Sequence, residues 1–290
     1  MLQYLIPPRL MSIACGVAFL GAALTTGFAQ AQTVFTASGT DAASITPQVN
    51  AFRSALGTLN ANVAGSFGSG RREINWDGVP DIFSAPNALP ANFFNVNSPR
   101  GVLFSTPGSS LQVSANASNP TATPIEFGNI DAAYPGFFDT FSPQRLFTAI
   151  GSNIVDVNFF VPGSVQAALT SGFGVVFSDV DTANTTSISF FDATNSLLRT
   201  DFAPALGGNQ TFSFLGVDFD SAVVSRVRIT SGNQLLAAGN VAMDLVVMDD
   251  FIYGEPIAAI PEPEVNALLL AGLALLVGLV RRRRDDRGQS

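Results

Sequence analysis

Ile154-Val155-Asp156-Val157-Asn158-Phe159-Phe160-Val161 alternates Val155, Val157, Phe159 and Val161 with Ile154, Asp156, Asn158 and Phe160. Successive side chains of a strand point to opposite faces, so this period of two predicts a β-strand with one face on a core. Further along, Phe173, Val175 and Phe177 alternate with Gly174, Val176 and Ser178, and residues 179–185 turn the chain into 186–191, a predicted hairpin. Residues 197–202, 211–219, 223–230 and 243–253 continue the series, with turn clusters such as Gly207-Gly208-Asn209 and Gly232-Asn233 between them. Short strands at this spacing predict a mainly β protein, an antiparallel β-sandwich of jelly-roll-like type over residues 71–256.

Toward the N-terminus the period changes. Ser44-Ile45-Thr46-Pro47 predicts a helix start, with Thr46 as N-cap and Pro47 at the first helical position. Val49, Phe52, Leu56 and Leu59 then recur at helical spacing until Gly57 and Gly65 weaken the pattern, which predicts one short amphipathic helix packed on the sandwich. Residues 65–70 read as a glycine-rich linker, so 32–70 is expected to be a helix and linker preceding the sandwich. Pro80, Pro86, Pro90 and Pro99 leave no room in 71–107 for a regular element longer than a few residues.

Composition removes whole classes of chemistry. The chain has no His and no Lys, and all 14 basic residues are Arg. Ser-His-Asp and Cys-His catalysis, histidine zinc sites, Schiff-base lysines and the phosphate-loop lysine are therefore ruled out. Between Gln32 and Pro261 stand 18 acids against 8 arginines, a balance that disfavours nucleic acid and anionic lipid and suits divalent cations or neutral glycans.

The ends read as addresses. Arg9 precedes the apolar residues 10–24, and Ala29-Gln30-Ala31 supplies a small-x-small site for signal peptidase before Gln32, making 1–31 a predicted signal peptide and helix. Cys15, the one cysteine, lies inside it, so the mature chain could form no disulfide. At the other end Ile260-Pro261-Glu262-Pro263 is followed by an apolar run over 265–280 and then by Arg281-Arg282-Arg283-Arg284. The run of 16 residues is shorter than the ~20 that span a bilayer, yet the arginines would hold that end in the cytosol as the stop of a C-terminal membrane helix. This order resembles the PEP-CTERM sorting signal, here covering 257–290. The resemblance implies transient anchoring in the inner membrane, processing by an exosortase near the tripeptide, and delivery to the cell envelope surface or extracellular matrix. Residues 71–256 resemble other PEP-CTERM surface proteins that carry similar Arg-Glu-Ile-Asn-Trp-Asp-Gly and Met-Asp-Asp-Phe segments.

Site candidates come from the last strand. In 244–253 both faces are apolar, with Leu245, Val247, Asp249, Phe251 and Tyr253 on one side and Val246, Met248, Asp250 and Ile252 on the other. Such a strand is expected at the centre of a sheet, where a carboxylate of Asp249-Asp250 must be paired or metal-bound. An Asp-Asp-aromatic closing strand resembles that of carbohydrate-binding jelly rolls, in which an acid often ligates a structural calcium. The resemblance implies a calcium set of Glu73, Asp77, Asp249 and Asp250, and oxygen ligands from separate strands suit that ion. The competing partner is an arginine such as Arg226 or Arg228. Asp179, Asp181 and Asn184 fail the calcium-loop spacing and read as a solvated turn. Trp76, the one tryptophan, is the candidate sugar-stacking platform, against the alternative of a core residue.

The expectation is therefore an exported, non-enzymatic protein with a structural or glycan-binding role in exopolysaccharide or biofilm. The alternative is a carboxylate-dependent glycoside hydrolase or lyase, which would need two acids converging in a cleft.

Overall fold

A computed structural model describes residues 32–241, 244–259 and 272–277. The predicted signal peptide, Pro261, Glu262, Pro263 and the Arg281 to Arg284 cluster lie outside the described residues, as does most of the apolar run. Among the described residues no helix is long and apolar enough to cross a membrane.

The elements in chain order are β1 (Thr33–Gly39), α1 (Ala42–Leu56), β2 (Arg71–Ile74), α2 (Phe93–Val96), β3 (Val102–Ser105), β4 (Ser110–Val113), β5 (Phe147–Ile150), β6 (Ile154–Phe159), β7 (Ala168–Leu169), β8 (Gly172–Ser178), β9 (Ser187–Phe191), β10 (Leu197–Phe202), β11 (Phe212–Asp218), β12 (Arg226–Thr230), β13 (Val247–Gly254) and β14 (Ile257–Ala258). One sheet runs β1-β11-β8-β13-β5-β4, with β2 also on β13; a second runs β10-β9-β12-β6-β3; β14 pairs β7. Every strand pairing is antiparallel.

The two larger sheets share one core. Val155, Val157 and Phe159 of β6 meet Phe173, Val175 and Phe177 of β8 and Phe251 and Tyr253 of β13 in it. The inward face predicted for 154–161 is the observed one. Outside it, β6 turns Asp156 and Asn158 away from the core, and its neighbour β12 does the same with Arg226 and Arg228.

The first sheet is covered on its other face too. Ile45, Val49, Phe52 and Leu56 of α1 pack on Val176, Phe214 and Ile252. Two cross-strand glycines, Gly174 on β8 and Gly216 on β11, lie directly opposite each other under Phe52. A Cβ on Gly174 would come within 2.8 Å of the Phe52 ring, so the helix sits where the sheet is bare. Covering both faces explains why every residue of β8 and β13 is buried rather than every second one.

Four expectations are corrected. Residues 173–178 and 186–191 do not form a hairpin, because β8 and β9 belong to different sheets and 179–186 carries the chain between them. The hairpin is β9 with β10. The helix starts a turn earlier than predicted, capped by the Asp41 carboxylate on the Ser44 amide at 2.8 Å, with Pro47 inside it and Leu59 beyond it and exposed. Finally, 32–70 is not an appendage: β1 is a strand of the first sheet, paired with β11 along its whole length.

Candidate functional site

Asp249 and Asp250 sit at a β-bulge. Along β13, Met248 faces Phe177 of β8 while Phe251 faces Val175, so three steps on one strand match two on its partner. The extra residue resets the alternation. Val246 and Met248 therefore share the core with Phe251 and Tyr253, although their numbers differ in parity. Both acids are buried, and the partners of both come from outside the inter-sheet core. Asp249 accepts from the Phe141 amide at 2.7 Å and the Ser142 hydroxyl at 3.1 Å. Asp250 accepts from the same hydroxyl at 2.7 Å and from Arg53 of α1 at 3.0 Å. Burial, and then the neighbouring Asp250 charge, holds the Asp249 carboxyl well above the ordinary range. Burial raises Asp250 as well, opposed by Ser142 and Arg53.

Glu73 joins this group through Arg53, which it meets at 2.9 Å, and is shared with Arg71. Asp77 is elsewhere occupied: it accepts from the amides of Gln144 and Arg145, and burial raises its pKa. Among the described residues no three acids are placed to hold a metal ion. The four candidate ligands do not fit calcium, because arginine and amide donors already meet their oxygens. The arginine that neutralises Asp250 is Arg53; Arg226 and Arg228 instead pair Asp156 across the second sheet, at 2.7 and 2.8 Å.

Trp76 is 1% exposed and belongs to the core. Its ring stacks on Phe147 at 4.1 Å and 7°, meets Phe251 edge-on, and donates its indole N–H to the Asp249 carbonyl at 2.6 Å. A sugar platform at this residue is overturned.

The concave surface lies on the second sheet. Where β6 and β12 run toward the β7–β14 ribbon, a groove of about 250 Å³ opens. Its polar rim is Asn158, Asp192, Asn195, Ser225 and Arg226, and Phe160, Leu169 and Ala259 supply apolar wall. Arg226 is fixed from three sides. Its guanidinium lies over the Phe191 ring at 3.8 Å, donates to Asp156, and donates twice to the Asn195 side-chain oxygen, at 2.6 and 3.2 Å. Asn195 is held in turn by the β9–β10 turn, where the Asp192 carboxylate accepts the Thr194 and Ser196 amides. These bonds outweigh partial burial and keep Asp192 below the usual carboxylate range. The asparagine side chains thus stand at a fixed rim with amide N–H and C=O groups to offer. Asn158 was visible as an outward strand position; the signal for Asn195, the turn sequence Asp192-Ala193-Thr194-Asn195, was passed over between two predicted strands.

No family model and no curated protein matches the chain. Among solved structures the chain is similar to a fucose-binding module of Streptococcus pneumoniae, SpX-3, at 10% identity and a TM-score of 0.23, over 40% of this chain and 73% of that one. It is also similar to the enzymatically active domain of tailspike protein 4 of bacteriophage CBA120, at 14% identity and a TM-score of 0.25, over 61% of this chain and 22% of that one. Likeness at these scores carries no argument about fold or function.

Proposed function

We propose that this chain is a non-catalytic, exported surface or matrix protein whose sandwich binds glycan in the groove beside Arg226. The groove carries the reading: it is small and half apolar, and it presents two asparagine amides, a serine hydroxyl and a clamped guanidinium, the donors and acceptors that sugar hydroxyls pair with. A hydrolase is less well supported. The groove holds one carboxylate, Asp192, and the two other depressions, around Trp76–Arg100 and Arg53–Arg71, hold none. The one close acid pair, Asp249 and Asp250, is sealed, and none of these depressions reaches it.

Affinity electrophoresis against neutral bacterial polysaccharides tests the binding. Asn158→Ala and Asn195→Ala are each expected to weaken retardation about tenfold, the equivalent of one well-made hydrogen bond. Retardation unchanged in both variants, or none for the parent protein, would remove the groove from consideration. Export and sorting rest on the two ends of the sequence. In a Gram-negative host the intact mass of the mature protein is expected to lack 1–31 and the arginine cluster, and replacing Pro261, Glu262 and Pro263 by alanine should abolish the shorter form. A full-length product in the inner membrane in both cases would leave an ordinary anchored protein.

A further inference from the structure

Of the eight arginines among the described residues, seven form ion pairs: Arg53, Arg71, Arg72, Arg145, Arg199, Arg226 and Arg228. Arg100 does not. In a chain this acidic, an arginine without a carboxylate is the exception, and its surroundings hold it ready rather than leaving it loose. Its guanidinium lies over the Phe94 ring at 5.0 Å and donates to the Ser98 hydroxyl. Its backbone is tied at both ends, the amide to the Phe94 carbonyl at 2.8 Å and the carbonyl to the Tyr253 hydroxyl at 3.0 Å. The Nε N–H is buried with no acceptor. Such a donor is costly to leave unmet, and a charged one more so.

The same side chain lines a recess of about 50 Å³, bounded also by Asn75, Trp76, Gly78, Phe93, Phe94 and Ser98. Its walls are rings and backbone, and it contains no acid. The charges that act on Arg100 are the Arg72 cation and the Tyr253 phenol, with desolvation the largest influence, so nothing nearby compensates it. The recess shares no residue with the groove at Arg226.

The geometry points to a second binding site in this recess, a carboxylate site in which Arg100 takes the anion and Asn75 offers its amide. A guanidinium fixed in one plane matches two carboxylate oxygens, and the recess has room for that group but not for a whole sugar ring. The ligand class is a carboxylate presented at the end of a larger molecule, such as the C6 acid of a uronic acid residue, or a free small carboxylate of the same chemistry.

Titration calorimetry of the full chain with sodium galacturonate, sodium acetate and galactose tests the site. Galacturonate is expected to bind saturably in the millimolar range, galactose not to bind at the recess, and Arg100→Gln to lose galacturonate affinity at least tenfold. Acetate binding as well would identify a site for free carboxylates, and acetate failing while galacturonate binds would identify one that also reads the sugar; either supports the assignment. Because Arg100→Gln could disturb the fold, its melting transition and its groove-dependent retardation by neutral polysaccharide are measured beside it, and Arg100→Lys should recover part of the affinity. Galacturonate bound equally by the parent and a folded Arg100→Gln, or by neither, overturns the proposal.

Discussion

Arg72→Met is expected to cost the fold about 3–5 kcal/mol, a large part of the stability of a typical domain. Arg72 is 0% exposed, and its partner Glu255 is buried with it. The pair is bidentate, at 2.7 and 2.9 Å, and the remaining guanidinium donors meet the carbonyls of Ala61, Gly65 and Pro99 at 2.6, 3.1 and 3.0 Å. Glu255 also accepts from Asn60 at 2.8 Å and from the Phe67 amide at 3.3 Å. Methionine fills the volume but leaves a buried carboxylate and three carbonyls without donors. Glu255→Gln leaves the opposite charge and should cost a similar amount. The double variant should cost less than the two single losses together, because each single loss contains the same stranded charge. Chemical denaturation measures all three, and limited proteolysis should find new cleavage within 58–70. A loss under 1 kcal/mol in both single variants would show that the pair is not what closes this region.

Asp179→Asn is expected to stabilise the protein, and only above neutral acidity. Asp179 is 4% exposed, one of its oxygens has no partner, and its backbone lies at φ 73°. Burial first, and then the charges of Asp181 and Asp244, push its carboxyl up to about 7. An acid raised in the native state keeps a proton that the unfolded chain gives up near 3.8, so stability is greatest below about pH 4, falls as pH rises toward 7, and is level above that. Asparagine cannot ionise, keeps a donor where the proton was, and tolerates a positive φ. The two proteins should unfold alike at pH 4 and diverge by on the order of 3 kcal/mol at pH 8, in favour of the variant. Parallel stability curves across that range would mean that Asp179 stays charged in the native state.

The sequence made some of this legible and not the rest, for physical reasons. A strand buried on one face writes its period plainly, which is why β6 and the outward places of Asp156 and Asn158 could be read. β8 and β13 are buried on both faces, so their composition said central strand but not which sheet, and the link 179–186 looked like a hairpin turn when it crosses the sandwich. The bulge at Asp249-Asp250 is a single inserted residue; no alternation rule signals it, and it moved Val246 and Met248 to the face assigned to the odd positions. Residues 65–70 look like a linker because they are glycine and serine, yet their backbone is organised by a charge pair whose members stand 183 residues apart. The acids nominated for calcium were rightly identified as needing partners. Which cation answered, Arg53 from a helix, depended on a long-range packing that local spacing does not encode.

The β7–β14 ribbon gives the molecule a mechanical property. Its two residue pairs, Ile257 with Leu169 and Ala258 with Ala168, are followed by the Ala259 amide on the Ala167 carbonyl at 3.2 Å, two residues before Pro261. Ala167, Ala168, Leu169 and Ala259 also wall the groove. Load entering from the C-terminal side is therefore borne first by a few hydrogen bonds that also shape the groove, and peeling them would open its wall before it strained either sheet. A ligand that braces that wall resists the pull, so the grip on a ligand and the hold on the leash are one joint.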